Sequence, residues 1–291
     1  MAGKSRHFSL LEGISAGLLF GTAAIFIRLI DINAFSIALW RLIIASAALA
    51  LIIIALKRGQ TGSLARSDFK YFLILGMLLG AHFILFVSAV KDTSILNATV
   101  LVNTTPIFSL IISTFLYRAK PSKLALAGIF FSFIGAVVIA YGDAERGDTA
   151  SLIGNLEAAL AAVAEGFYLN YGREKRSRLP LLTTMLFIYL AAALTVGVAT
   201  VFTKKAFEVP NNFEILLPII GLGVLPTATA HTLYFSSLSN LKSFETATMA
   251  LLEPLGATLL GIAVFAEIPN PIFVLGAALV LVGIFSVAAG K

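Results

Sequence analysis

The sequence predicts an all-α membrane protein of ten transmembrane helices, arranged as two inverted five-helix repeats. Three observations predict it. Hydrophobic residues make up 59% of the chain and charged residues only 12%, against roughly 25% charged in soluble domains. With a mean hydropathy of +0.97, the chain has too much apolar surface for one aqueous core, so the bilayer is its solvent. Apolar runs of roughly 20 residues, long enough to span, fall at about 8–27, 34–56, 70–90, 93–116, 122–141, 150–171, 180–202, 214–239, 243–265 and 270–289. Finally, residues that are scarce in lipid recur at nearly constant spacing between the two halves.

Each run has its own reasons. The first is a span rather than a cleaved signal, because Glu12 interrupts its apolar core and no A-x-A-like site follows. Its Gly13, Gly17 and Gly21, like Gly76 and Gly80 in the third run, sit four apart, a spacing that lets helix backbones approach closely. The second run carries Trp40-Arg41, the third His82, and the fourth Asn103-Thr104-Thr105-Pro106. The sixth carries Glu165, the seventh no charge, the eighth His231 and the ninth Glu253-Pro254. Short connections make neighbouring runs antiparallel hairpins. The first repeat is expected at 1–145 and the second at 146–291.

Lys and Arg sort by side. Fifteen lie in the loops on the N-terminal side and five on the other: Arg28, Lys91, Arg146, Lys204 and Lys205. The positive-inside rule then puts both termini in the cytoplasm. It also accounts for the net charge of +6 without a nucleic-acid partner. Only Arg41 lies within a span, a turn or two inside the outer end of its helix. It can snorkel outward, stack on Trp40 or pair with an acid, and a structural role is expected. With no Lys or Arg near the midplane, anionic substrates are disfavoured.

The repeat has three aligned stretches. Leu11-Glu12, Gly21 and Arg28 recur 145 residues on as Leu156-Glu157, Gly166 and Arg173. Ala81-His82, Phe86 and Ser88 recur at 149 as Ala230-His231, Phe235 and Ser237. Pro106, Gly128, Gly135 and Gly142 recur at 148 as Pro254, Gly276, Gly283 and Gly290. Five crossings per half, an odd number, insert the second half upside down. In transporters built this way the substrate site lies near the midplane between the repeats.

On these residues the chain resembles the drug/metabolite transporter superfamily, in its ten-helix EamA-type branch. The resemblance is carried by Gly21, Trp40-Arg41, Ser88-Ala89 through Asn97-Ala98 to Pro106, and Gly128 to Gly142. The second copy runs from Ser236-Ser237 through Glu245-Thr246-Ala247, Glu253-Pro254 and Phe265-Ala266-Glu267 to Gly290. Glu267 matches the acidic residue the family often carries after the fourth helix of a half, where the first half has Arg118. The second half also lacks the Trp-Arg pair. The resemblance implies alternating-access transport of small metabolites through a cavity lined by the first, third, fourth, sixth, eighth and ninth runs. Within the branch it is most similar to bacterial amino-acid exporters of the inner membrane. Carriers of drugs, sugar phosphates or nucleotide-sugars are the alternatives, and a membrane enzyme or a channel is disfavoured. The expected partners are the bilayer and a small-molecule substrate, and the expected unit is a monomer.

Depth sorts the candidate substrate-binding residues. His82 and His231 are each roughly 16–18 Å from the N-terminal-side boundary at 1.5 Å per residue. They are read as cavity-lining groups, as titrating groups or as interhelical hydrogen-bond partners. Pro106 and Pro254 lie about 11 residues into their helices, where proline frees a carbonyl and bends the helix, so they are candidate hinges. The polar residues before them, Asn103, Thr104 and Thr105 in one copy and Glu253 in the other, suit a substrate site at the break, with Asn103, Thr104 and Glu253 the candidate contacts. Three roles stay open for Glu253: binding a substrate ammonium, carrying a proton, or staying protonated against a neighbour. Glu165 lies deep, with Tyr168 at i+3 on the same helix. Phe20 and Phe83 are candidates by position. Glu12, Glu157 and Glu245 lie near helix starts, where the macrodipole favours a carboxylate. The chain has no cysteine, no phosphate-binding glycine loop and no H-E-x-x-H, so neither metal nor cofactor is expected.

Overall fold

The computed structural model describes residues 5–56, 64–142, 152–265 and 271–290. Glu267, several loop cations (Lys4, Lys57, Arg58, Arg146, Lys291) and the expected repeat junction at 145 lie outside the described residues. The described residues are helical with no strand. The helices are α1 (Arg6–Leu29), α2 (Ala34–Ala55), α3 (Arg66–Asp92), α4 (Ile95–Val102), α5 (Thr105–Tyr117), α6 (Lys123–Gly142), α7 (Leu152–Arg173), α8 (Leu181–Phe202), α9 (Phe213–Leu222), α10 (Thr232–Ser237), α11 (Ser243–Met249), α12 (Glu253–Phe265) and α13 (Ile272–Ala289). Side-chain oxygens of Ser5, Asn33, Ser94 and Asn212 cap the starts of α1, α2, α4 and α9, each accepting a backbone N–H that the helix cannot satisfy itself. Among the described residues seven helical segments are long and apolar enough to cross a bilayer, and Lys123–Val138 and Val274–Ala289 form shorter apolar helices.

Three of the expected continuous helices are interrupted. The fourth run breaks at Asn103-Thr104 between α4 and α5, and the ninth narrows to a 3₁₀ turn at Ala250–Leu252 between α11 and α12. The helices that follow begin 148 residues apart, at Thr105 and Glu253, each with its proline in the first turn, where a missing N–H costs nothing. The third interruption has no counterpart in the first half. Gly223–His231 winds as a π-helix with Pro226 inside it; a proline cannot complete the α-helical ladder, and wider turns of this kind recur at functional sites.

Contacts between the halves come in mirrored pairs. α1 lies along α11 and α12, and α7 lies along α4 and α5. Within each half a mirrored hydrogen bond repeats the relation: Arg28, ending α1, donates to the Thr93 carbonyl at 3.2 Å. Arg173, ending α7, donates to the Leu241 carbonyl at 2.9 Å. The two acceptors are again 148 residues apart.

The contact between α6 and α13 fixes the sense of the symmetry. A Cβ added at Gly128 would meet the carbonyl of Gly283 at 2.6 Å, and one added at Gly135 would meet that of Gly276 at 2.6 Å. Rising along α6 therefore means descending along α13. Each residue contacts the equivalent of the other's partner, as a twofold axis requires. Symmetry-related helices that run antiparallel place that axis across the helix direction, which is the geometry of an inverted repeat.

One mirrored interface differs in chemistry. Between α5 and α7, Asn170 donates to the Ser109 carbonyl at 3.1 Å, the Ser109 hydroxyl at 3.1 Å and the Gly166 carbonyl at 2.9 Å, and it accepts from Ser113 at 2.6 Å. This polar seam leads to a cavity of about 360 Å³ at the N-terminal face, bordered by Ser113, Tyr117, Asn170, Arg173 and Lys242. The equivalent position of Asn170 in α1 is Ile25.

Candidate functional site

The helix breaks converge on a buried cavity. About 50 Å³ of it is open to the centre of a water-sized sphere, room for a few waters. α1 contributes Phe20 and Ala23, α3 contributes His82, Phe83 and Phe86, and α7 contributes Glu165. The break after α4 brings Val102, Asn103 and Thr105, and the break before α12 brings Ala250 and Glu253. His231, ending the π-segment, and Tyr234 of α10 complete that side. Four pairs in this wall are related by the repeat: Phe20 and Glu165, His82 and His231, Val102 and Ala250, Thr105 and Glu253. The cavity therefore lies on the pseudo-twofold axis.

Its polar groups are close together. Asn103 donates to a Glu253 carboxyl oxygen at 3.1 Å, so the break of one repeat is tied to that of the other. His82 Nδ1 lies 3.0 Å from the Ala161 carbonyl. A carbonyl only accepts, so this nitrogen carries the proton and Nε2 remains as the imidazole's other polar atom. A Glu165 oxygen is 3.7 Å from the same Nδ1, too long for a hydrogen bond. Neither carboxyl oxygen of Glu165 has a hydrogen-bond partner, nor does Nδ1 of His231 or the hydroxyl of Tyr234. The two imidazole centroids are 6.1 Å apart. Phe20 and Phe83 sit against His231, with ring centroids at 4.7 and 4.9 Å.

Of the residues singled out from the sequence, His82, His231, Asn103, Glu253, Glu165, Phe20 and Phe83 meet in this one wall. Pro106 and Pro254 stand at the breaks beside it. Two do not line it. Thr104 turns its hydroxyl back to the Leu101 carbonyl at 2.6 Å. Tyr168 is buried against Phe235, with its hydroxyl 3.9 Å from Met185 sulfur. An i+3 step turns about 60° off the Glu165 direction at 3.6 residues per turn, enough to aim the ring at a neighbouring helix.

Arg41 requires a correction. It does not snorkel outward. Trp40 instead turns away, stacked on Phe207 at 5.6 Å and donating to the Glu208 carbonyl at 3.1 Å. The Arg41 side chain runs inward and is 1% exposed. It lines the cavity, lies 3.8 Å over the face of Phe83 and donates through Nε to Thr227 at 3.0 Å. Its Nη1 has no hydrogen-bond partner. Its Cα stands only about 10 Å into the helix by residue count, but a long side chain covers the remaining distance. Anionic groups are therefore not disfavoured as cargo, because a cation does reach the centre. The missed signal was the direction of the side chain, which depth counting does not supply. Thr105, read together with Asn103 and Thr104, does line the wall; Tyr234 was missed, although it lies three residues from His231.

Comparison with known proteins agrees with this architecture. The family model described as the EamA-like transporter family matches twice, over residues 7–141 and 152–289. The chain belongs to the EamA-like transporter family. This EamA-like chain is similar to the uncharacterized transporter YdfC of Bacillus subtilis, at 30% identity over 256 residues, covering 85% of this chain and 79% of that protein. It is also similar to YyaM of the same organism, another uncharacterized transporter, at 26% identity over 258 residues, covering 86% and 83%. An uncharacterized transporter of Archaeoglobus fulgidus matches at 23% identity over 279 residues, 94% of each chain. A solved crystal structure shares the fold, with a TM-score of 0.80 at 21% identity, covering 97% of this chain and 96% of that one. The chain is thus a multi-pass membrane protein of a transporter family.

Proposed function

We propose that this EamA-like transporter is an inner-membrane exporter of amino acids or similarly small metabolites. It works by alternating access as a ten-crossing monomer with both termini in the cytoplasm. The observation that carries the reading is the central cavity itself. It is shared by both repeats, built at paired helix breaks, and supplied with acids, imidazoles and a cation among aromatic rings. Broken backbone at membrane depth is tolerated where it faces protein or a wet cavity, and the free polar atoms around this one suit a small polar solute. The sorting of Lys and Arg supports the orientation. The aromatic share of the wall, Phe20, Phe83, Phe86 and Tyr234, favours one second reading, a drug or other amphiphilic metabolite as cargo.

The test is counterflow in proteoliposomes loaded with unlabelled amino acids, with and without an imposed pH gradient. Accumulation of a labelled amino acid against its loaded partner is expected. Accumulation of none of them, with uptake of amphiphilic amines instead, replaces the amino-acid reading by the second.

A further inference from the structure

The cation in the cavity is held in an unusual way. Arg41 as a whole is 1% exposed. A guanidinium carries five N–H donors and no acceptor. One of them, on Nε, is used by the Thr227 hydroxyl, and the Phe83 face takes the flat side of the group at 3.8 Å. Nη1 has no partner. Among the described residues no acid lies within ion-pair distance of Arg41; the pairs found are Arg6 with Glu245, His82 with Glu165 and Lys175 with Asp68. Removing a charged group from water costs several kcal/mol unless a counter-charge or hydrogen bonds replace the hydration. A buried guanidinium that lines a cavity and leaves Nη1 without an acceptor therefore calls for an anion.

The surroundings prepare the group for one. Thr227, which accepts from Nε, is itself fixed: its hydroxyl donates to the Leu222 carbonyl at 2.6 Å, and its own carbonyl accepts from Tyr189 at 2.7 Å. The π-segment places Thr227 there, so the irregular turn of the second repeat orients the cation of the first. Cation–π contact with Phe83 holds the plane. A planar fork held at one edge and on one face presents its remaining edge in a fixed direction, and that shape matches the two oxygens of a carboxylate. Elsewhere in the same wall stand two acids, Glu165, whose oxygens make no hydrogen bond, and Glu253. The wall thus holds a guanidinium and two carboxyl groups, which suits a molecule with a carboxylate at one end and an ammonium at the other.

We propose that Arg41 is the carboxylate anchor of the transport site: the substrate is a zwitterion whose carboxylate docks on the open edge of the guanidinium and whose ammonium faces Glu165 and Glu253. This rests on the transport reading above and sharpens it. It makes Arg41 a specificity-determining residue and separates amino acids from cationic amines as cargo.

The experiment compares three forms of one compound on purified, reconstituted protein: an amino acid, its methyl ester and its decarboxylated amine, each competing for counterflow of the labelled amino acid. Wild-type protein should prefer the acid by roughly 10–100-fold, the factor that a charge-assisted hydrogen bond represents. In Arg41→Gln that preference should collapse through loss of affinity for the acid, while the weak affinity for the ester stays. Arg41→Lys should recover part of it. Equal competition by acid, ester and amine in the wild type overturns the anchor and leaves amino-acid transport standing. This arm needs no variant, so a misfolded Arg41→Gln cannot rescue the claim. Competition by chloride at the same concentration as the acid would make Arg41 an inorganic-anion site and also overturn it. Failure of the wild type to exchange any labelled amino acid is the separate failure of the transport reading.

Discussion

Replacing Glu253 with Gln is the sharpest perturbation of the cavity, because it changes charge and proton capacity while keeping shape. Asn103 donates to Glu253 at 3.1 Å, and a Gln amide oxygen in the same place can accept that bond. The stability cost is then the difference between a hydrogen bond to a charged acceptor, about 1.5–3 kcal/mol, and one between neutral groups, about 0.5–1.5 kcal/mol, so about 1 kcal/mol between their mid-values. Glu253→Ala removes the acceptor altogether, leaving the Asn103 amide buried without its partner at a cost of about 1–3 kcal/mol. The transport effect of the Gln variant should be larger than its stability effect. A carboxylate that receives an ammonium or a proton loses that capacity entirely, and a deficit of about 10-fold or more in counterflow corresponds to about 1.4 kcal/mol. Counterflow rate and thermal unfolding, measured on the same preparation, separate the two. Normal counterflow in Glu253→Gln would show a carboxyl that serves only as the Asn103 acceptor, and would remove Glu253 from the site.

Four further outcomes follow from the same coordinates. His231→Ala should weaken substrate binding several-fold through loss of its contacts with Phe20 and Phe83, each worth about 0.5–1.5 kcal/mol; His82→Ala should weaken it too, and unchanged affinity in either would make that residue a packing group. Asn170→Leu should lower the unfolding midpoint without changing substrate preference, since its bonds lie in the α5–α7 seam and interhelical bonds in membranes average about 0.6 kcal/mol each. Gly128→Leu should disrupt the α6–α13 contact, because even a Cβ there meets the Gly283 carbonyl at 2.6 Å; a fully stable variant would contradict the close antiparallel crossing. The chain has no cysteine, so single cysteines at exposed Lys120 and Lys204 should react with an impermeant thiol reagent from the cytoplasmic and outer sides respectively. Labelling from the reverse sides would invert the proposed topology.

The helices and the twofold relation were legible because they depend on periodic, repeated features: apolar length, scarce polar matches, and glycines four apart. The positions of both helix breaks were legible too, since Pro106 and Pro254 dictate them. Sequence reading fell short where direction rather than depth decides. Arg41 and Trp40 are neighbours, yet one reaches the cavity and the other faces Phe207 and Glu208. Glu165 and Tyr168 share a helix, yet only Glu165 lines the wall. Pro226 drew no expectation from the sequence, and with it went unforeseen the widening of the ladder over Gly223–His231 that brings Thr227 to the guanidinium.

The frame of this transporter is symmetric and its chemistry is not. Along the axis only the imidazoles match, His82 with His231. Glu165 corresponds by the repeat to Phe20, and Glu253 to Thr105, with all four in the wall. The cation has no equivalent, since the seventh apolar run carries no charge. A rocking motion needs matched interfaces, because the two end states are then built from the same contacts with the halves exchanged. A substrate with a head and a tail needs the opposite, a wall whose two sides differ. Both requirements are met when scaffold positions such as Gly128 and Gly276 stay paired while the wall diverges. On this argument, Glu165→Phe, which makes that one pair match, should leave thermal unfolding nearly unchanged yet weaken competition by the ammonium-bearing acid relative to the same acid without its amine in counterflow.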